Sequence, residues 1–142
     1  MKNILIMMIL VFSSCITTKN VKDMSFKLVK ATRQTFVVGM PLHKGKDSGI
    51  IHLFYFENAK NIIVKNLWIE GVNVDYEMGR TSETAIRLRA VFYSGTKENI
   101  HEDIKAPIEY EGRALLEFVE GEETKYIIID EFERLEMPKD VK

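Results

Sequence analysis

A single thiol is available to this chain, at Cys15, directly after the small residues Ser13 and Ser14. One isolated cysteine near the start of an exported chain reads as a site of covalent attachment or as a leftover thiol. The other groups with catalytic potential are dispersed. His43, His52 and His101 stand far apart and none lies in an H-x-x-x-H or H-x-H frame, so no zinc site is assigned. No serine occupies the G-x-S-x-G frame of a nucleophile elbow, and Asp47-Ser48-Gly49 reads as a turn entering a strand. Gly45-Lys46-Asp47-Ser48-Gly49 lacks the spacing of a phosphate loop, so no cofactor is expected. Carboxylates are abundant in Glu120-Gly121-Glu122-Glu123 and from Asp130 to Glu136, but the first run reads as a hairpin turn whose charges are solvated. No catalytic residue is assigned.

The elements that would position Cys15 precede it. Lys2 is followed by an apolar run from Ile4 to Phe12 and then by the two serines, the basic, apolar, small order of a secretory signal. A spanning helix needs roughly 20 apolar residues, and this run is far shorter. Phe12-Ser13-Ser14-Cys15 resembles the bacterial lipobox, with Phe12 where an aliphatic residue is usual. The layout is similar to that of small lipoproteins of bacterial envelopes. That resemblance implies cleavage before Cys15, acyl chains on it, and residence on the periplasmic or outer face of a membrane. Ile16 stands where an inner-membrane retention signal would place Asp, which favours the outer membrane. The two or three acyl chains implied would anchor the chain stably, where one alone binds marginally. With Cys15 so used, disulfides, thiolate metal sites and cysteine nucleophiles are closed to the folded part, and its stability must come from an apolar core.

The chain thus divides into a lipoprotein signal peptide (1–14), a lipidated tether (15–23), one domain (24–138) and a charged tail (139–142). The domain is large enough for a single core. Charge is unevenly placed: Cys15 to Asn66 holds nine basic and three acidic residues, and Leu67 to Lys142 ten and eighteen. The mature chain is slightly acidic, so no nucleic-acid footprint is present. In an interleaved β fold such asymmetry resolves into cross-strand pairing; otherwise it leaves an acidic patch for a basic partner or cation.

Eight segments rich in β-branched and aromatic residues predict strands: Ser25 to Ala31, Thr35 to Met40, Gly49 to Glu57, Asn61 to Glu70, Val72 to Tyr76, Thr84 to Tyr93, Arg113 to Val119 and Lys125 to Leu135. No stretch has sustained helical periodicity. Ile86, Leu88, Ala90 and Phe92 share one face of their strand, as do Ala114, Leu116 and Phe118 of theirs. Ile50 to Phe56 is apolar on both faces, as a mid-sheet strand should be. The pattern predicts an all-β antiparallel sandwich, with an immunoglobulin-like arrangement as one form and a small barrel as the alternative. Trp68 is a candidate to fill the space between the sheets. Gly79 to Glu83 reads as a polar turn. The long polar link from Ser94 to Gly112 is read either as functional or as hiding a helix near Glu98 to Ile104 or an edge strand at Ile108 to Tyr110.

One exposed recognition face can be named, the alternating row Arg87, Arg89, Val91 and Tyr93. His52 shares a strand face with Phe54 and Phe56 and reads as a buried structural histidine. The expectation is a membrane-anchored, non-catalytic envelope module, binding a protein or glycan through Arg87, Arg89 and Tyr93, an edge strand or the long link, or serving as a structural part of an envelope complex. The alternative is a small envelope hydrolase using carboxylate and histidine side chains.

Overall fold

The structure, a computed structural model, describes residues 26–38 and 47–136. Cys15, the signal segment, the tether, His43 and the tail lie outside the described residues. Ten strands form: β1 (Lys27–Val37), β2 (Ser48–Glu57), β3 (Ile62–Ile69), β4 (Val72–Val74), β5 (Glu77–Arg80), β6 (Ile86–Tyr93), β7 (Ile100–His101), β8 (Ala114–Glu120), β9 (Glu123–Ile129) and β10 (Glu133–Leu135). They make two five-stranded sheets, ordered β10-β1-β2-β6-β5 and β7-β4-β3-β8-β9. The molecule is a β-sandwich, and the barrel alternative falls because neither sheet closes on itself.

Within the sheets, β1-β2-β6-β5 has the A-B-E-D order of immunoglobulin-like sandwiches, and β4-β3-β8-β9 extends their C-F-G order by one strand beside C. Pairing is antiparallel throughout except where β10 returns to lie parallel to β1, with Thr32 beside Glu133 and Gln34 beside Leu135. Such an order describes architecture and carries no activity.

Alternation along the strands explains the core. Phe54, Phe56, Ile86, Leu88 and Ala90 of the first sheet meet Leu67, Ile69, Leu116, Phe118, Ile127 and Ile129 of the second. Phe26, one residue before β1, closes one end edge-on to Phe118 at 4.5 Å and to Phe56 at 5.7 Å. Tight turns hold the registers. Glu70 and Gly71 both have positive φ (52° and 81°) between the paired Ile69 and Val72, which is the two-residue turn that matches strand twist. Gly121, at φ 65°, opens the turn between the paired Glu120 and Glu123, so the hairpin read from sequence forms there.

Several sequence boundaries are corrected. The two strands predicted at Ser25–Ala31 and Thr35–Met40 merge in the one strand β1 (Lys27–Val37), because Thr32, Arg33 and Gln34 pair continuously with β2, and Ser25, Gly39 and Met40 lie outside the described residues. Lys125–Leu135 is instead two strands in different sheets, since the chain leaves β9 after Ile129 and joins β1 at Glu133. Gly79 and Arg80 end strand β5, and the turn proper follows, where Ser82 Oγ accepts from the amides of Thr84 and Ala85. The link forms neither the helix nor the strand at Ile108 to Tyr110, and contributes only β7.

Phe118 is fully buried between the sheets, and Phe118→Ala is expected to cost about 3–5 kcal/mol of unfolding free energy through lost transfer energy and a residual cavity. Urea unfolding followed by tryptophan fluorescence measures it.

Candidate functional site

Cross-strand neighbours share a face, so the registers settle which side chains look outward. On the first sheet one row runs Arg87, Tyr55, Lys30 and the next Glu77, Arg89, Leu53, Thr32, Glu133. Arg87, Arg89 and Tyr93 therefore do lie on one outer face, as the alternation predicts. Their surroundings differ. Arg87 is exposed beside the half-buried Tyr55. Arg89 Nη1 donates to Glu77 Oε2 at 3.3 Å. Val91, 6 % exposed, is buried on this outer side, and its carbonyl accepts a hydrogen bond from Asn99 Nδ2 at 3.1 Å.

Tyr93 packs edge-on to Phe36 at 6.1 Å across Gly49, the residue between them in the register. A side chain at Gly49 would meet the Phe92 carbonyl oxygen at 2.0 Å and the Phe36 ring at 2.9 Å, so the absent Cβ is what lets these strands and rings approach. Arg89, Val91 and Tyr93 form one wall of a recess of about 180 Å³, opposite Asp75, Tyr76, Glu77 and Asn99. Sequence alternation could not find this second wall, because Asp75 and Asn99 arrive from segments remote in the chain.

Beside it, His101 Nε2 lies 2.7 Å from Asp75 Oδ1. Among the described residues this is the one His–carboxylate contact at hydrogen-bond distance, and no third His, Cys, Asp or Glu joins it there as a metal-binding group. The pair joins β7 to the residue after β4.

The second sheet's outer face is organised by an irregularity. Val64 pairs with Phe118 but Asn66 pairs with Glu117, so Lys65 is an extra residue in β3. Its insertion turns Trp68 outward, contrary to the expectation that Trp68 fills the space between the sheets. Trp68 is still only 1 % exposed. The link covers this face, and Trp68 Nε1 donates to the Ile104 carbonyl at 3.0 Å. Further along, a Cβ on Gly112 would lie 2.7 Å from Ile128 Cγ2, so the link's end is pressed against β9.

Next to Trp68 a polar ladder crosses four strands. Asn73 Nδ2 donates to Asn66 Oδ1 at 3.4 Å, Asn66 Nδ2 to Glu117 Oε1 at 2.9 Å, and Tyr126 Oη to Glu117 Oε2 at 3.0 Å. Burial and the Glu117 carboxylate both push the Tyr126 phenol's pKa upward. A cleft of about 890 Å³ opens between the link residues Ile108 to Gly112, the Glu70-Gly71 turn and Ile128.

His52 is buried on the inner face, 4 % exposed, with Phe132 and Phe92 edge-on at 4.8 and 5.3 Å. Its Nδ1 has no hydrogen-bond partner among the described residues. Desolvation first, and the neighbouring Arg33 guanidinium second, lower its pKa from the ordinary 6.5 to about 4. This is a structural histidine, as its strand pattern predicts. No family model, curated protein or solved structure matches the chain.

Two outcomes are expected. The folded state resists protonating His52 while the unfolded chain accepts the proton, so this contribution is complete above about pH 6.5 and is lost as pH falls towards 4. A shift of this size corresponds to roughly 3 kcal/mol. Urea unfolding at steps across that window should show a pH slope that His52→Leu flattens. Trp68→Phe removes the hydrogen bond to the link, and leaving the Ile104 carbonyl unpaired should cost about 1–2 kcal/mol. Hydrogen exchange should then show faster exchange in the Ser94 to Gly112 link, with the β2–β6 amides unchanged.

Proposed function

We propose that this chain is an envelope lipoprotein, anchored by acyl chains on Cys15, whose sandwich is a non-catalytic binding or structural module. The observation that carries the reading is the run from Lys2 through Ile4–Phe12 to Ser13-Ser14-Cys15, with no second cysteine in the chain. The outer membrane is the proposed location, with a protein or glycan as partner and no nucleic acid.

The fold supports a module that faces away from its anchor. Ten residues separate Cys15 from Phe26, which limits their reach to roughly 35 Å at ~3.5 Å per residue. Lys27 pairs with Glu57 at the tethered end of the first sheet, whereas Tyr93 pairs with Gly49 at the other, eight residues along β2 and roughly 26 Å away at ~3.3 Å per residue. The recess walled by Arg89 and Tyr93 is therefore at the far end. It offers a guanidinium, two carboxylates, a phenol and an amide on a rigid sheet, the Tyr76 hydroxyl being bonded to the Val64 carbonyl, a donor and acceptor set suited to a polar glycan or protein surface.

Intact mass and membrane fractionation of the wild type beside Cys15→Ala test the anchor. The wild type is expected to carry acyl mass and sediment with membranes, and Cys15→Ala to lack both properties. Soluble, unmodified wild-type protein would overturn the anchor and the location together.

A further inference from the structure

At the far end of the sandwich, three arginines come to one cavity. Arg33 of β1, Arg134 of β10 and Arg113 just before β8 line a cavity of about 120 Å³ with Glu70, Glu131 and Phe132. Arg113 Nη1 is held by Glu70, at 3.1 Å to Oε1 and 3.5 Å to Oε2. Arg33 and Arg134 have no such partner among the described residues. They are direct neighbours in the parallel β1–β10 register, yet neither makes an ion pair or hydrogen bond with a described residue. Glu131 lines the same cavity and lies in no ion pair with either.

Two like charges placed opposite each other on adjacent strands repel, and a sheet gains nothing by keeping them there unless something lies between. Guanidinium forks match the geometry of oxyanions, and two or three of them converging make a site of that chemistry. At about 120 Å³ the cavity has room for one tetrahedral oxyanion. Phe132 packs on His52 and Phe54, giving the cavity one apolar wall beside its charged lining.

We propose that this cavity binds a phosphate-sized oxyanion, either inorganic phosphate or the terminal group of a phosphomonoester, held by Arg33 and Arg134 with Arg113 at its rim. The bound anion ties β1, β10 and the start of β8, and so joins the two sheets at the end opposite the tether. Charge repulsion in the empty site predicts that removing one guanidinium does not weaken the fold.

The test is isothermal titration of the mature protein in detergent with inorganic phosphate at constant ionic strength. Saturable one-to-one binding is expected, weakened at least tenfold in Arg33→Gln and in Arg134→Gln and unaltered in Lys65→Gln, whose residue lies on the exposed β3 bulge. Vesicles of phosphatidylcholine with phosphatidic acid separate the sources: competition with phosphate assigns a lipid headgroup, and its absence assigns a soluble phosphate. Melting in phosphate-free buffer provides the second measurement. Arg134 is exposed, and Arg134→Gln is expected to melt at or above the wild-type temperature. No saturable binding, wild-type affinity in either arginine variant, or a clear fall in the Arg134→Gln melting temperature would each overturn the proposal.

Discussion

The stacking of two apolar sheet faces decides what every other part of this molecule presents to its surroundings. Phe54, Phe56, Ile86 and Leu88 are matched against Leu67, Leu116, Phe118 and Ile127. Because a strand sends successive side chains to opposite faces, burying those residues leaves Tyr55, Arg87 and Arg89 outside. A one-residue slip of β6 would bury two arginines, so the outward row of arginines is held in place by the free energy of the core. With one cysteine in the chain, no intrachain disulfide supports that core.

The same constraint makes one extra residue consequential. Without Lys65 inserted, β3 would keep a single alternation from Ile62 to Ile69, and Trp68 would share the inner face with Ile62 and Val64. With it, Leu67 and Ile69 face inward and Trp68 faces out, where a bare indole would be a large apolar liability. The link supplies both the cover and the Ile104 carbonyl for the indole N–H. The long polar segment is thus partly a structural lid over Trp68 and partly a wall, through Asn99, of the recess beside Tyr93.

Local pattern made much of this legible. The faces of β6 and β8, the central place of β2, the hairpin at Gly121 and the burial of His52 all follow from alternation and turn chemistry. What was not legible depends on pairing across long sequence distances. Nothing within Lys125–Leu135 announces that Glu133 will join β1, a hundred residues earlier, and nothing near Arg33 announces Arg134. Trp68 misleads for the related reason that a bulge changes face without changing composition. The charge asymmetry also resolves differently from the interleaved expectation. Lys30–Glu133, at 3.5 Å, joins the basic first half to the acidic second, while Arg89–Glu77, Arg113–Glu70 and Lys97–Glu102 lie within the second half. These pairs are largely exposed and worth little individually.

The sheet edges bear on whether a partner would be met by a face or by strand addition. An open edge recruits another strand when it is long, flat and apolar. Here β5, β7 and β10 have four, two and three residues. The longest edge, β9, places Lys125 in register with Phe118, on the inward side, with Nζ 3.9 Å from both Glu120 and Glu123. A strand docking on β9 would have to desolvate that lysine further, against the cost of burying a charge whose partners are at loose distance. Short edges and an inward charge are how sheets resist addition, and they leave the rigid faces and the far-end recess as the surfaces on which selective contact is cheapest to make.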